Sequence, residues 1–105
     1  MEIKEIGEGT ALLLMHCAVR WNESLARFDI GLAGKWPKST LRYREALDTA
    51  IDVTKHLESG DLAAALSHFH RARKAVALAD RAFLEDEQMH KDIDQELDDE
   101  MGPDK

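Results

Sequence analysis

The sequence predicts an all-α domain: a three-helix antiparallel bundle whose third helix is very long and packs through a heptad-like seam. Three observations predict it. No Gly or Pro interrupts the stretch from Asp61 to Glu100. Within it, large and small residues alternate at the a and d positions of a seven-residue repeat. Leu62, Phe69, Val76, Phe83, His90 and Leu97 make one column, and Ala65, Ala72, Ala79, Asp86, Ile93 and Glu100 the other. The third observation is composition: with two Pro and 6% aromatics, the 105 residues read as one helical domain, 1–105.

Residues 1–9 read as a short N-terminal arm, broken by Gly7 and Gly9 and given no element. Thr10 can cap a first helix over residues 10–32. Ala11, Leu14, Ala18, Trp21, Leu25, Phe28 and Leu32 recur at intervals of 3 and 4 and form its seam. Gly31 and Gly34 supply the stop. A second stripe, Leu12, Met15 and Val19, runs along the same helix. One seam is enough to pack onto a hairpin. The second stripe therefore lies either in the middle of the domain or in a subunit interface.

Pro37 biases Trp36 away from helix, and Ser39 or Thr40 can cap a second helix over residues 39–58. Tyr43, Leu47, Ala50, Ile51, Thr54 and Leu57 mark its expected buried face. Ser59-Gly60-Asp61 ends it and starts the third helix, 61–100, so the two form a hairpin with a very short turn. Gly60, Ala65, Phe69 and Ala72 match the small and aromatic positions in the second half of a tetratricopeptide repeat. The hairpin resembles that repeat in geometry. Val53 stands where the repeat's first helix needs a small Gly, no second copy occurs, and the resemblance implies no function here.

Length arithmetic isolates the end of the third helix. Forty residues span about 60 Å, whereas a compact chain of this size has a radius of gyration near 13 Å. Residues 85–100 should overhang, carrying Met89, Ile93 and Leu97 at helical spacing. Charge separates there too. Residues 1–84 hold 12 Lys/Arg and 11 Asp/Glu, whereas residues 85–105 hold 2 Lys and 10 Asp/Glu. The acidic end argues against duplex nucleic acid, whose binding rests on neutralised phosphates. It suits a protein partner with a basic surface, and Asp86, Asp94, Asp98, Asp99 and Glu100 are its candidate contacts.

Catalytic chemistry finds little support. There is no Gly-rich phosphate loop and no nucleophile elbow. Cys17, the sole cysteine, sits in the apolar run Ala11–Cys17 and reads as a core residue in a reducing compartment. That run is too short to span a bilayer, and the acidic start does not suit a signal peptide, so the expectation is cytoplasmic with no membrane partner. Lys35, Lys38, Arg42 and Arg44 cluster near Trp36 and Tyr43 but read as a solvated surface. Glu87 and His90 have the Glu-x-x-His spacing of di-iron bundles, and Asp94 shares their helical face.

Two functional readings follow. The first is a non-enzymatic protein-binding regulator or inhibitor (adaptor, antitoxin- or immunity-like, or anti-activator-like), a homodimer without cofactor. It would act through Leu12, Met15, Val19, Met89, Ile93 and Leu97 and the acidic end. The alternative is a metal-binding bundle, di-iron or zinc, assembled across a dimer by Glu87 and His90.

Overall fold

The computed structural model describes the backbone of residues 1–28 and 37–101, and the side chains in that range except those of 93, 94 and 97–101. Three helices pack against one another: α1 (Ile3–Arg27), α2 (Lys38–Ser59) and α3 (Leu62–Met101). No strand occurs among the described residues. Ile6 packs near Phe69, Ser24 bonds Thr40, and Arg27 pairs with Glu87. Those contacts set α1 parallel to α3 and antiparallel to α2, an up-down-up bundle. The helix expected over 39–58 is α2, and that over 61–100 is α3, each within a residue at either end.

The α2–α3 turn follows from two residues. Gly60 sits at φ +81°, the left-handed cap that only Gly adopts at little cost. Asp61 then caps α3, its Oδ1 accepting from the Ala64 N–H at 3.1 Å. The heptad seam of α3 is buried as its spacing requires. Ala65, Phe69, Ala72, Val76, Ala79, Phe83 and Asp86 are all inside; of the seam's described residues, Leu62 at the start is 40% exposed and His90 half-buried. Large residues of α3 enter two clusters: Val76 and Phe83 pack with Cys17, Ala46, Phe28 and Tyr43, and Phe69 with Ile6 and Val53.

The first helix differs from expectation. It starts at Ile3, so the supposed arm is helical, and Thr10 is an interior residue instead of a cap. Its hydroxyl donates to the Ile6 carbonyl at 2.7 Å, which lets it be buried without an orphaned group. Gly9 is tolerated in mid-helix because Phe69 presses on it. A Cβ there would lie 2.6 Å from the Phe69 ring. The buried face is Ile6, Thr10, Cys17 and Ser24, with Leu13 and Trp21 packed beside it. Ala11 and Ala18 of the expected seam are exposed. The cause is hydroxyl pairing: Ser24 Oγ bonds the Trp21 carbonyl at 2.8 Å and Thr40 Oγ1 at 2.7 Å, so two polar residues face inward. The helix ends at Arg27, with Phe28 extended and buried. The expected contributions of Leu32, Gly31, Gly34 and Trp36 lie outside the described residues.

On α2, Tyr43 and Ala50 are buried as expected, joined by Ala46 and Val53. Leu47 and Leu57 are half-buried, and Ile51 is exposed. The radius of gyration, 17.9 Å, exceeds that of a compact chain because α3 is so long. The overhang starts later than expected, however. Arg27 reaches Glu87 at 3.2 Å and the Phe28 ring lies 6.2 Å from that of His90, so α1 covers α3 that far. Beyond it, Lys91, Asp92, Gln95 and Glu96 are exposed.

Candidate functional site

Two places bring chemistry-bearing side chains together, and a third exposes apolar ones. The first is a junction to which each helix contributes one residue. Asp80 Oδ1 of α3 lies 2.8 Å from His16 Nε2 of α1 and accepts from the Tyr43 hydroxyl of α2. The His16 ring meets the Tyr43 ring edge-on at 5.9 Å. Nothing in the sequence pairs these residues, since His16 and Asp80 are 64 positions apart. An acid–imidazole pair of this kind activates a nucleophile when one stands on the open side of the imidazole. Here the neighbouring thiol is of the wrong kind. Burial, and after it the Asp80 carboxylate, pushes the Cys17 thiol from 9.0 up to about 11. Burial and the bond to Asp80 likewise hold the Tyr43 phenol above its ordinary range. Both groups stay protonated at neutral pH, so the junction is a staple between helices.

A pH dependence follows. The fold favours the protonated thiol, so its contribution is complete below the unfolded value of 9.0 and lost as pH rises towards about 11. Urea unfolding should show stability falling by roughly 2–3 kcal/mol across that window on account of Cys17. Tyr43 adds to the fall above its ordinary value of 10.0. Cys17→Ala should start less stable but flatten the earlier part of the slope. An unchanged slope in that variant would exclude the thiol as the cause.

The second place is the end of the bundle around Asp86. This carboxylate, expected to face a partner, is only 3% exposed and turned inward. Its Oδ2 accepts from the Ser39 N–H at 2.7 Å and the Ser39 hydroxyl at 2.6 Å, and its Oδ1 from the Lys38 N–H at 3.3 Å. The expected cap from Ser39 or Thr40 is absent: α2 starts at Lys38 behind Pro37, with no side-chain cap of its own. Asp86 takes that role from α3, at the positive end of the α2 dipole. Next to it, Glu87 is bound by Arg27 at 3.2 Å and Lys91 at 3.7 Å, while His90 lies against Phe28. Among the described residues no three His, Cys, Asp or Glu side chains converge as metal ligands. The side chains of Asp94, Asp98, Asp99, Glu100, Ile93 and Leu97 lie outside the described residues. Met89 is 46% exposed.

The third place is the outward side of α1. Leu12, Met15 and Val19 are 67%, 66% and 56% exposed, half a turn from Ile6, Thr10, Cys17 and Ser24. The stripe therefore does not lie in the domain interior. Ala11 and Ala18 beside it are also exposed, and no Lys, Arg, Asp or Glu occurs from Gly9 through Val19. By contrast, the groove of about 460 Å³ between α2 and α3 is rimmed by both charge signs, Lys38, Arg42 and Arg81 against Glu45 and Glu85. The basic cluster near α2 lacks an aromatic platform in Tyr43, whose ring is fully buried. No described helix is long and apolar enough to cross a membrane. Neither the family models nor the curated proteins nor the solved structures compared with this chain contain a match.

Proposed function

We propose that this chain is a non-enzymatic helical binding protein, a small regulator or inhibitor that docks another protein on the outward face of α1. The supporting observation is the uncharged stripe of Leu12, Met15 and Val19, each more than half exposed on a helix already anchored by its opposite face. Large contiguous apolar patches on a monomer's surface mark interaction sites. A partner presenting an apolar helix-accepting surface gains roughly 1.5–3 kcal/mol for each such side chain it fully buries, before association costs. The acidic end of α3 adds a second contact for a partner whose surface is basic.

The variant to make is Leu12→Ser/Met15→Ser/Val19→Ser, three exposed positions whose replacement leaves the core intact. Its helicity and melting should match the parent's. Affinity purification from the native cell, with both proteins as bait, should recover a stoichiometric protein on the parent and lose it on the variant. Equal recovery on both baits would remove α1 as the docking face.

A further inference from the structure

The outward face of α3 carries a charge pattern that its own chain uses only in part. Arg71, Lys74 and Arg81 are exposed, and no ion pair or hydrogen bond among the described residues engages them. Farther along the same face come Glu85, Asp92 and Glu96, also exposed, Glu85 within 3.8 Å of the Lys38 ammonium and Asp92 accepting from the Gln88 amide at 3.0 Å. At 100° per residue, these six share the side of α3 opposite its buried seam of Ala65, Phe69, Ala72, Val76, Ala79 and Phe83. One half of this face is basic, the other acidic, and the change of sign falls between Arg81 and Glu85. Exposed leucines and a methionine flank it: Leu78 at 52%, Leu84 at 66% and Met89 at 46%.

We infer that the occupant of this face is a second copy of the chain, with the two α3 helices side by side and antiparallel. In an antiparallel pair centred near Phe83, opposed residues have numbers adding to a constant. One register, with numbers adding to 166, matches two of the charge pairs directly. Arg81 opposes Glu85 of the second copy and Lys74 opposes its Asp92, both adding to 166, while Arg71 lies one residue out of register from its Glu96, within reach of two long side chains. Two-fold symmetry makes each pairing twice. The same register brings Leu78 within one residue of Met89 of the second copy, and sets the Leu84 of each copy one residue from the axis. A parallel pair would oppose like to like at every position, so orientation follows from charge alone. The paired stretch, 71–96, is about 38 Å long and one helix wide, roughly 400 Å² per copy, which is small for a stable complex. The expected dimer is therefore weak, on the order of 10 µM in Kd, and held partly by charge. It does not depend on the α1 reading, because α1 packs on the other side of α3.

The test uses the full chain in sedimentation equilibrium. Lys74 and Asp92 are 18 residues apart on one rigid helix, about 27 Å, so they meet only between copies. Lys74→Glu alone, and Asp92→Lys alone, should each raise the dimer Kd about tenfold or more, since each opposes two pairs of like charges. The double variant Lys74→Glu/Asp92→Lys should return it to within about threefold of the parent. Raising salt from about 0.05 M to about 0.5 M should weaken the parent dimer. Circular dichroism of the exposed-site variants checks that all remain folded. A parent that stays monomeric at about 100 µM overturns the inference, because that is well above the expected Kd. So does a double variant no better than the singles. Loss of the dimer in Leu12→Ser/Met15→Ser/Val19→Ser, with Lys74→Glu unaffected, would instead place self-association on α1.

Discussion

Asp86→Ala is expected to destabilise the protein by about 2–4 kcal/mol, lowering the melting temperature by about 10–30 °C. The carboxylate accepts two backbone N–H groups of the first turn of α2 and the Ser39 hydroxyl, all in a buried site. Alanine leaves those donors without a partner and takes a negative charge from the positive end of the helix dipole. Asp86→Asn separates the two effects: it keeps one oxygen acceptor and loses the charge, so its loss should be smaller. Ser39→Ala should combine with Asp86→Ala less than additively, because both remove the same bond. Thermal melts of the three single variants and the Ser39→Ala/Asp86→Ala double variant, against the parent, check this. A drop below about 1 kcal/mol for Asp86→Ala would place the carboxylate at the surface, where losses of that size belong.

Phe83→Ala is expected to have the largest effect, about 3–5 kcal/mol. Phe83 is 4% exposed at the centre of the larger core cluster, with Cys17, Phe28, Tyr43, Ala46, Val76 and Ala79 around it. The Phe28 ring meets it edge-on at 5.1 Å, and the Arg20 and Arg27 guanidinium groups lie 4.8 and 5.5 Å from its centroid. Truncation therefore opens a cavity where all three helices converge and removes the face on which two cations rest. A small domain has only about 5–15 kcal/mol to lose, so the variant should be partly unfolded or melt near ambient temperature. Phe83→Leu, which refills most of the volume, should lose much less. Urea unfolding should shift its midpoint by more than about 1 M for alanine. A shift within error would mean that the cluster collapses around the gap.

The hairpin of α2 and α3 was legible because its signals agree. Gly60 and Asp61 mark the turn, and Ala65, Ala72 and Ala79 alternate with Phe69, Val76 and Phe83. The first helix was harder to read because Ala11 to Val19 is apolar almost all round, so periodicity does not choose a buried face. The choice falls to Thr10 and Ser24, whose hydroxyls find partners only in the folded chain. Asp86 was on the d column from the start, yet an acidic residue reads as solvated until the bare end of α2 is seen beside it. The Asp80 junction has no local signal, since its three members come from three helices. The stripe of Leu12, Met15 and Val19 was visible in sequence. Its exposure was not, because that depended on which side Thr10 and Ser24 took.

The contact between Gly9 and Phe69 joins two positions that are 60 residues apart. An ideal Cβ on residue 9 would lie 2.6 and 2.8 Å from two ring carbons of Phe69, itself held in a packed core. The two sites therefore share one volume, and neither has a size limit of its own. A methyl group at position 9 is admissible only if position 69 becomes smaller, for instance Leu, and a small residue at 69 leaves a void unless position 9 grows. Any chain that drifts in sequence while keeping this bundle should change the two together, and a Gly at position 9 should travel with an aromatic at position 69.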